Sequence, residues 1–499
     1  MSLEGSAARH PGGSEARAGT LPNHDGANTP SAADRRDSGA TGFGSRRAIF
    51  AVVLLLGVNT MNFYDRQVVG AVGELVRKEW NLNDRQLSAL TIAFILLYAV
   101  VGLPLGHWAD VGRRKFILAA GVILWSVMTA LSGLAWGFAS LFVFRLAVGV
   151  GEASCAPAAN SLLGDLFPSQ QRARAIAVFM LGLPLGLGLS YVISGLIAHS
   201  VGWRAALFVA GVPGLFLGVL ALWLPEPPRG AAETRADEAR EDEAREGEAP
   251  AEPHAENSAG ASPSLASSSP AVRQESAVLA VLRIPTMRWI IVSGALLNLN
   301  MYALGAFLTS LMIRYHGLNA AEANGLIGAI YGFGGGLGML GGGWVCDRVV
   351  KHRVSGRLEL AALAMALAAP CLWLALQAPR GAPLVFAAWL LPGCLGLYFY
   401  YSAVYATIQD VVAPRMRGTA MAVYFFVFYV FTAIGLFTFG WLSDHLARQA
   451  QSGGASEDEA RALGLHGAMQ AVPIIAVVLV GVLWAGSRTV AADHERRWI

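Results

Sequence analysis

Long apolar runs alternate along this chain with short polar intervals. No Asp, Glu, Lys or Arg occurs within 86–109, 116–144, 175–203, 289–313, 323–346, 360–379, 381–409, 418–443 or 462–487. A helix needs about 20 such residues to cross a bilayer. The hydrocarbon offers backbone groups no water, so runs of this kind must be helical. The turn-forming "GLAWGFAS" at 133–140 divides the second run. The pattern predicts six spans near 47–73, 87–109, 116–134, 139–164, 173–199 and 203–224. Six more follow near 287–313, 322–346, 358–377, 383–408, 417–442 and 465–486. The expected fold class is an all-α membrane protein, twelve transmembrane helices in two six-helix bundles.

Two segments break the pattern. Residues 1–45 are rich in Ala, Gly, Ser, Pro and Arg and carry no apolar signal core. They are expected to form a disordered cytoplasmic tail. Residues 225–285 include "EDEAREGEAPAEPHAENSAGASPSLASSSPA", which cannot bury a core and is expected to be a largely disordered linker. The division is then a bundle at 46–224, the linker, a bundle at 286–487 and a tail at 488–499.

The two sets of spans repeat. "DLFPSQQRARAIAV" from Asp165 and "DVVAPRMRGTAMAV" from Asp410 share D-x6-R-x2-A-x-A-V, aligning Arg172 with Arg417. "GHWADVGR" from Gly106 and "GWVCDR" from Gly343 share G-x3-D followed by Arg. The two matches fall at corresponding places in each half, as in transporters whose halves rock about a central site. Loops 2–3, 4–5, 8–9 and 10–11, each taken with the first two residues of the following span, carry eleven Lys and Arg against eight in the opposite loops taken the same way. That bias places both termini and the linker in the cytoplasm.

Composition agrees and narrows the chemistry. The chain of 499 residues is 55% apolar and 14% charged, against about 25% charged in soluble domains. The net charge of +3 comes from basic residues scattered at helix ends, so no nucleic-acid partner is expected. Arg far outnumbers Lys, a bias of GC-rich bacterial genomes, and the expected location is a bacterial inner membrane. Cys155, Cys346, Cys371 and Cys394 all lie in apolar spans without metal-ligand spacing. No nucleotide-binding loop, metal cluster or nucleophile constellation is present, so neither an enzyme nor a cofactor is expected. Energy must then come from ion gradients, each charge moved being worth about 2.3 kcal/mol per 100 mV.

Within the apolar spans, four ionisable residues lie deep: Asp65 and Arg66 in "NFYDRQ", and Arg145 and Glu152 seven apart in span 4. Such groups are costly in a membrane and mark pathways. With span 1 ending near Gly73, Asp65 lies about 12 Å below that end. Arg145 falls at similar depth, about 9 Å, and Glu152 lies deeper, at about 20 Å. An Asp65–Arg145 pairing is expected, with Glu152 alone nearer the midplane. Asp65 and Glu152 are candidate proton sites; Arg66 or Arg145 would hold an anionic head group. Asn62 in span 1 is a further candidate for substrate contact, and the second half is polar but uncharged, with Asn298 and Tyr302 in span 7 and Tyr405 in span 10. A static Asp65–Arg145 strut is the structural alternative.

"GHWADVGRRK" after span 2 and the twelve-span plan resemble the major facilitator superfamily. "NFYDRQ", "RLAVGVGEASCAPAANSLLGDLFP", "RARAIAVFMLGLPLGLGLSYVISG" and "EPPRG" resemble its spinster branch. The resemblance implies the major facilitator fold, alternating access and an amphipathic anion, a lysolipid or sphingoid-like molecule, as substrate. It also implies Asp65 and Glu152 as an acidic pair with Arg66 as their basic neighbour. Gly106, Asp110, Arg113, Arg114, Asp165 and Arg172, with Asp347, Arg348, Asp410 and Arg417 in the second half, are expected to gate. Protons and membrane lipids are the other expected partners, and the protein is expected to be a monomer. A carrier of small organic anions, such as aromatic or sugar acids, fits the same charge pattern, and a non-transporting receptor is the reading from another class.

Overall fold

The computed structural model describes residues 45–167, 169–228, 277–349, 353–413 and 416–496. The tail 1–44 and linker residues 229–276 lie outside them. Among the described residues, twelve helices are long and apolar enough to cross a membrane. In order they are Arg46–Trp80, Asp84–Gly102, Arg114–Ser132, Phe138–Leu166, Arg174–Ser200 and Trp203–Ala221, then Pro285–Arg314, Ala320–Cys346, Gly356–Leu376, Pro383–Val411, Arg417–Ser452 and Glu457–Ser487. They are spans 1 to 12.

The repeat in sequence is a repeat in packing. Span 1 packs on spans 5 and 6, as span 7 does on 11 and 12. Span 3 packs on 4 and 6, as span 9 does on 10 and 12. The halves meet along spans 2 and 11 and along spans 5 and 8, which the repeat exchanges. Small residues allow these approaches. A Cβ on Gly186 would stand 2.3 Å from the Thr60 carbonyl oxygen, and one on Gly338 would stand 2.4 Å from that of Leu395.

Four spans are locally broken, span 12 at Gln470 between helices Glu457–Met469 and Ala471–Ser487. Span 4 turns at Ala153–Ser154, between helices Phe138–Glu152 and Cys155–Leu166. Span 5 is interrupted at Leu181. Span 8 passes through a π-helical turn at Ile330–Gly334, a device that often re-aims side chains at functional sites. Glu152 therefore sits at a helix end, where the hydrophobic pattern predicts unbroken helix.

Spans 1 and 11 overrun their expected ends. Span 1 continues to Trp80, so Asp65 lies fifteen residues from its end, about 22 Å along the helix rather than 12 Å. Span 11 runs for 36 residues, about 54 Å against a hydrocarbon core of about 30 Å. The hairpin of spans 11 and 12 therefore projects beyond the bilayer beside the turn between spans 1 and 2.

That same end of the molecule is closed. Arg314 ends span 7 and bonds Glu74 of span 1 at 2.7 Å and Asp84 of span 2 at 2.8 Å. Arg77 holds Glu74 at 2.7 Å. From span 11, Ser443 donates to Asp84 at 2.7 Å, and Asp444 accepts the backbone N–H groups of Asp84 and Arg85 at 2.9 and 3.1 Å. A carboxylate of one half thus caps a helix N-terminus of the other. Below this cluster, a Cβ on Gly70 would stand 2.1 Å from the Gly305 carbonyl oxygen.

Just past Arg314, the turn before span 8 buries His316 against Phe386, beside the stacked pair Tyr315–His466. Its Nδ1 finds no hydrogen-bond partner among the described residues. Burial, with His466 nearby, pushes the imidazole from 6.5 down to about 4. The unfolded chain takes up this proton near pH 6.5 and the folded one only near pH 4, so folding stability falls as pH drops through that window. His316→Phe, which keeps the ring, should flatten the fall in melting temperature between pH 7 and 5. An unchanged slope would remove His316 as its cause.

Candidate transport site

Span 1 resolves why Asp65 and Arg66 stand side by side. Adjacent helical residues point about 100° apart. Arg66 turns toward a cavity of about 140 Å³ between the halves, and Asn62, one turn earlier, lines the same wall. Asp65 turns into the first half, buried at 1% exposure, with Arg145, Glu152 and Thr129 as its electrostatic neighbours.

The ion pair at the cavity is Arg66–Glu152. Arg66 Nε donates to Glu152 Oε2 at 3.0 Å, and Asn62 Nδ2 donates to the same oxygen at 3.1 Å. Glu152 is fully buried, and its other oxygen, Oε1, makes no hydrogen bond among the described residues. Arg66 also reaches across the cavity to the hydroxyl of Tyr429 on span 11, at 3.2 Å. The rings of Phe63, Phe94 and Tyr98 lie 4.9, 5.3 and 4.7 Å from its guanidinium carbon. This aromatic collar holds the guanidinium in place.

These contacts correct the expected pairing. Arg145 Nη2 donates to the backbone carbonyl of Asp65 at 3.1 Å, and neither carboxylate oxygen of Asp65 has a hydrogen-bond partner among the described residues. Glu152, expected to stand alone, is the paired acid. Arg145 does join spans 1 and 4, but through the main chain. The four charges do not share one chamber: Arg66 faces the cavity, Glu152 stands behind it, and Asp65 and Arg145 lie deeper in the first half.

The second half supplies an aromatic wall. Asn298, Tyr302 and Tyr405 line the cavity, with Tyr398 and Tyr401 beside them. Helical periodicity separates the residues of "YFYY". Tyr398, Tyr401 and Tyr405 share the cavity face, whereas Tyr400 turns inward to Ser293 at 2.7 Å. Tyr98 and Tyr429 are the side chains that sequence reasoning missed. They sit among many apolar aromatics, and only the packing of span 2 against span 11 sets them edge to face at 5.0 Å.

At the opposite end, the gating candidates separate. Arg114 pairs with Asp165 and also donates to the Pro227 carbonyl at 2.6 Å, tying span 3 to the chain after span 6. The repeat-related pair is Arg357–Asp410. Arg357 is a residue that sequence reasoning missed, although it opens span 9 as Arg114 opens span 3. Arg113 and Arg348 are exposed and stack on Phe116 and Trp344. Arg417 donates to the Gln409 carbonyl at 2.8 Å, closing its own loop. The side chains of Asp110, Arg172 and Asp347, and the surroundings of Gly106, lie outside the described set.

Comparison with known proteins decides the family. The model of the Major Facilitator Superfamily matches residues 55–436. The chain belongs to that superfamily. It is therefore a multi-pass membrane transporter rather than an enzyme. An "MFS-type efflux pump" of Mycolicibacterium smegmatis is 28% identical over 81% of this chain and 86% of its own length. Human "Protein spinster homolog 1" is 35% identical over 40% of this chain, and that match spans only 38% of the human protein. Among solved structures, a bacterial homolog of the human lysosomal transporter spinster, inward-facing and occupied, superposes with a TM-score of 0.71 at 22% identity. It covers 89% of this chain and 98% of the homolog. A D-xylose–proton symporter superposes with a TM-score of 0.59 at 14% identity, over 87% of this chain and 97% of its own. The resemblance to the spinster family thus appears in local sequence identity and in fold.

Proposed function

We propose that this superfamily member is a proton-coupled secondary transporter of an amphipathic anion, a lysolipid or sphingoid-like molecule. The observation that carries the reading is the shared position of Arg66, bonded to the buried Glu152 on one side and open to the cavity on the other. When Glu152 is ionised, Arg66 is held by it. When Glu152 takes a proton, the guanidinium becomes available to an anionic head group through charge-assisted bonds. Proton and substrate thereby exchange places on one residue. Asp65 is the second acid of this relay, acting through Arg145 and Glu152. The aromatic wall of Tyr302, Tyr401 and Tyr405 receives the apolar part of the cargo.

Gating follows the two ends. The Glu74–Arg314–Asp84 cluster closes the external side, and the Arg114–Asp165 and Arg357–Asp410 pairs brace the cytoplasmic side, where both termini and the linker lie. Asp110, Asp347 and Arg172 belong to the same cytoplasmic gate. The protein acts as a monomer in the bacterial inner membrane.

A second reading has its own support. The cavity of about 140 Å³ holds a head group but not an acyl chain, and small-molecule pockets are commonly about 300–1,000 Å³. Small organic anions, such as aromatic or sugar acids, fit it with less widening. Reconstituted vesicles under an imposed pH gradient separate the two. Uptake or release of labelled lysolipid that disappears in Asp65→Asn supports the lipid reading. Proton-driven flux of small acids without lipid movement would replace it, and flux indifferent to both pH and Asp65→Asn would remove the proton role.

A further inference from the structure

Where the projecting hairpin of spans 11 and 12 lies beside the turn between spans 1 and 2, there is a second cavity of about 420 Å³. It is separate from the transport site and straddles the seam between the halves. Arg85 of span 2 forms one wall, and Arg448 and Arg461 of the hairpin form the other. The acids in this cavity are already engaged. Asp84 is held by Arg314 and Ser443, Asp444 caps span 2, and Glu457 holds Arg461 at 2.6 Å. The side chains of Arg85 and Arg448 make no hydrogen bond or ion pair with any described residue; Asp444 is the electrostatic neighbour of Arg448. Two guanidinium groups from opposite halves therefore face one polar cavity with their donor forks uncommitted.

We propose that this cavity is an oxyanion site for phosphate or a phosphate-bearing head group, bridged between Arg85 and Arg448. Planar guanidinium forks bind such oxygens in pairs of parallel hydrogen bonds. The site is complete only while span 2 and the hairpin are together, because each half contributes one arginine. An anion bound there favours the conformer closed at this end and is released when the end opens. A ligand that prefers one state shifts the equilibrium by its differential affinity. The site thus gives the transporter an anion-dependent brake outside the transport cavity, whatever its cargo.

The test uses the full chain in phosphatidylcholine nanodiscs at constant ionic strength, with thermal unfolding followed as inorganic phosphate is added. A parallel set of nanodiscs contains phosphatidylglycerol. Stabilisation by phosphate alone identifies a soluble anion, and stabilisation only with phosphatidylglycerol identifies a lipid head group. Either response should weaken at least tenfold in apparent affinity in Arg85→Gln/Arg448→Gln and partly recover in Arg85→Lys/Arg448→Lys. The anion-free melting temperature of each variant reports its folding separately. Gly70→Ala, which touches neither arginine, should weaken the same response by opening this end. Stabilisation by neither source, or equal stabilisation of wild type and the double glutamine variant, would overturn the proposal.

Discussion

Glu152→Gln is expected to abolish accumulation driven by a pH gradient while leaving substrate exchange across the membrane. Glutamine matches the shape of the acid and keeps one oxygen to accept from Asn62 and Arg66, which now bond Glu152 Oε2. It cannot ionise, so Arg66 loses its counter-ion. Removing one partner of a buried ion pair costs about 3–5 kcal/mol where the other charge stays uncompensated. In the proposed cycle the substrate is a second anion for Arg66, so affinity should hold or rise while coupling is lost. Counterflow of labelled substrate, compared with uptake under an imposed gradient, separates the two quantities. Gradient-driven uptake at the wild-type level would remove Glu152 from the proton path and leave the Arg66–Glu152 pair as a strut.

The second large effect is expected from one methyl group. Gly70→Ala places a Cβ 2.1 Å from the Gly305 carbonyl oxygen and 3.3 Å from the Tyr191 hydroxyl, which itself donates to that carbonyl at 2.8 Å. The obstacle is main chain on a packed helix, so spans 1 and 7 must separate. Overpacking of this kind costs about 1–3 kcal/mol, which is about a 5–150-fold shift between two conformers. The end bearing Glu74, Arg77 and Arg314 should therefore open. Paired spin labels across that end should report a longer distance, and an unchanged distance distribution would sink the expectation. Gly305→Ala is the graded control. Its Cβ meets the flexible Gln67 side chain at 2.8 Å, so the shift should be smaller.

The twelve spans are legible in the sequence because the bilayer imposes one requirement, an unbroken apolar length, and composition reports it directly. Their ends are less legible. Glu74 and Arg77 made span 1 look finished near Gly73, since charges usually mark the water boundary. Arg314 arrives from 240 residues away to neutralise Glu74, so the helix continues to Trp80 with its charges buried. Span 4 shows the opposite error. "GEASCAP" contains no charge beyond Glu152 itself, but Pro157 has no N–H to give the Ala153 carbonyl, and the helix breaks at Ala153–Ser154.

The surroundings of the cavity were legible in their members more than in their pairings. Asn62, Arg66, Glu152, Asn298, Tyr302 and Tyr405 stand at or against the cavity because polar groups in apolar spans need partners or water. Depth along single helices pointed to Asp65 and Arg145 as the pair. Depth says nothing about azimuth, and the 100° between neighbouring residues sends Asp65 and Arg66 to different surroundings.

From the sequence alone follow the membrane setting, the twelve helices, their repetition and the few charges that lie within the spans, because each depends on composition and order along one chain. The tertiary structure alone decided that Arg66 holds Glu152, that Tyr429 meets it from the other half, and that Arg85 and Arg448 line one cavity at the seam. Those are distances between helices remote in sequence, set by how glycine-lined surfaces dock, and no one-dimensional pattern encodes them.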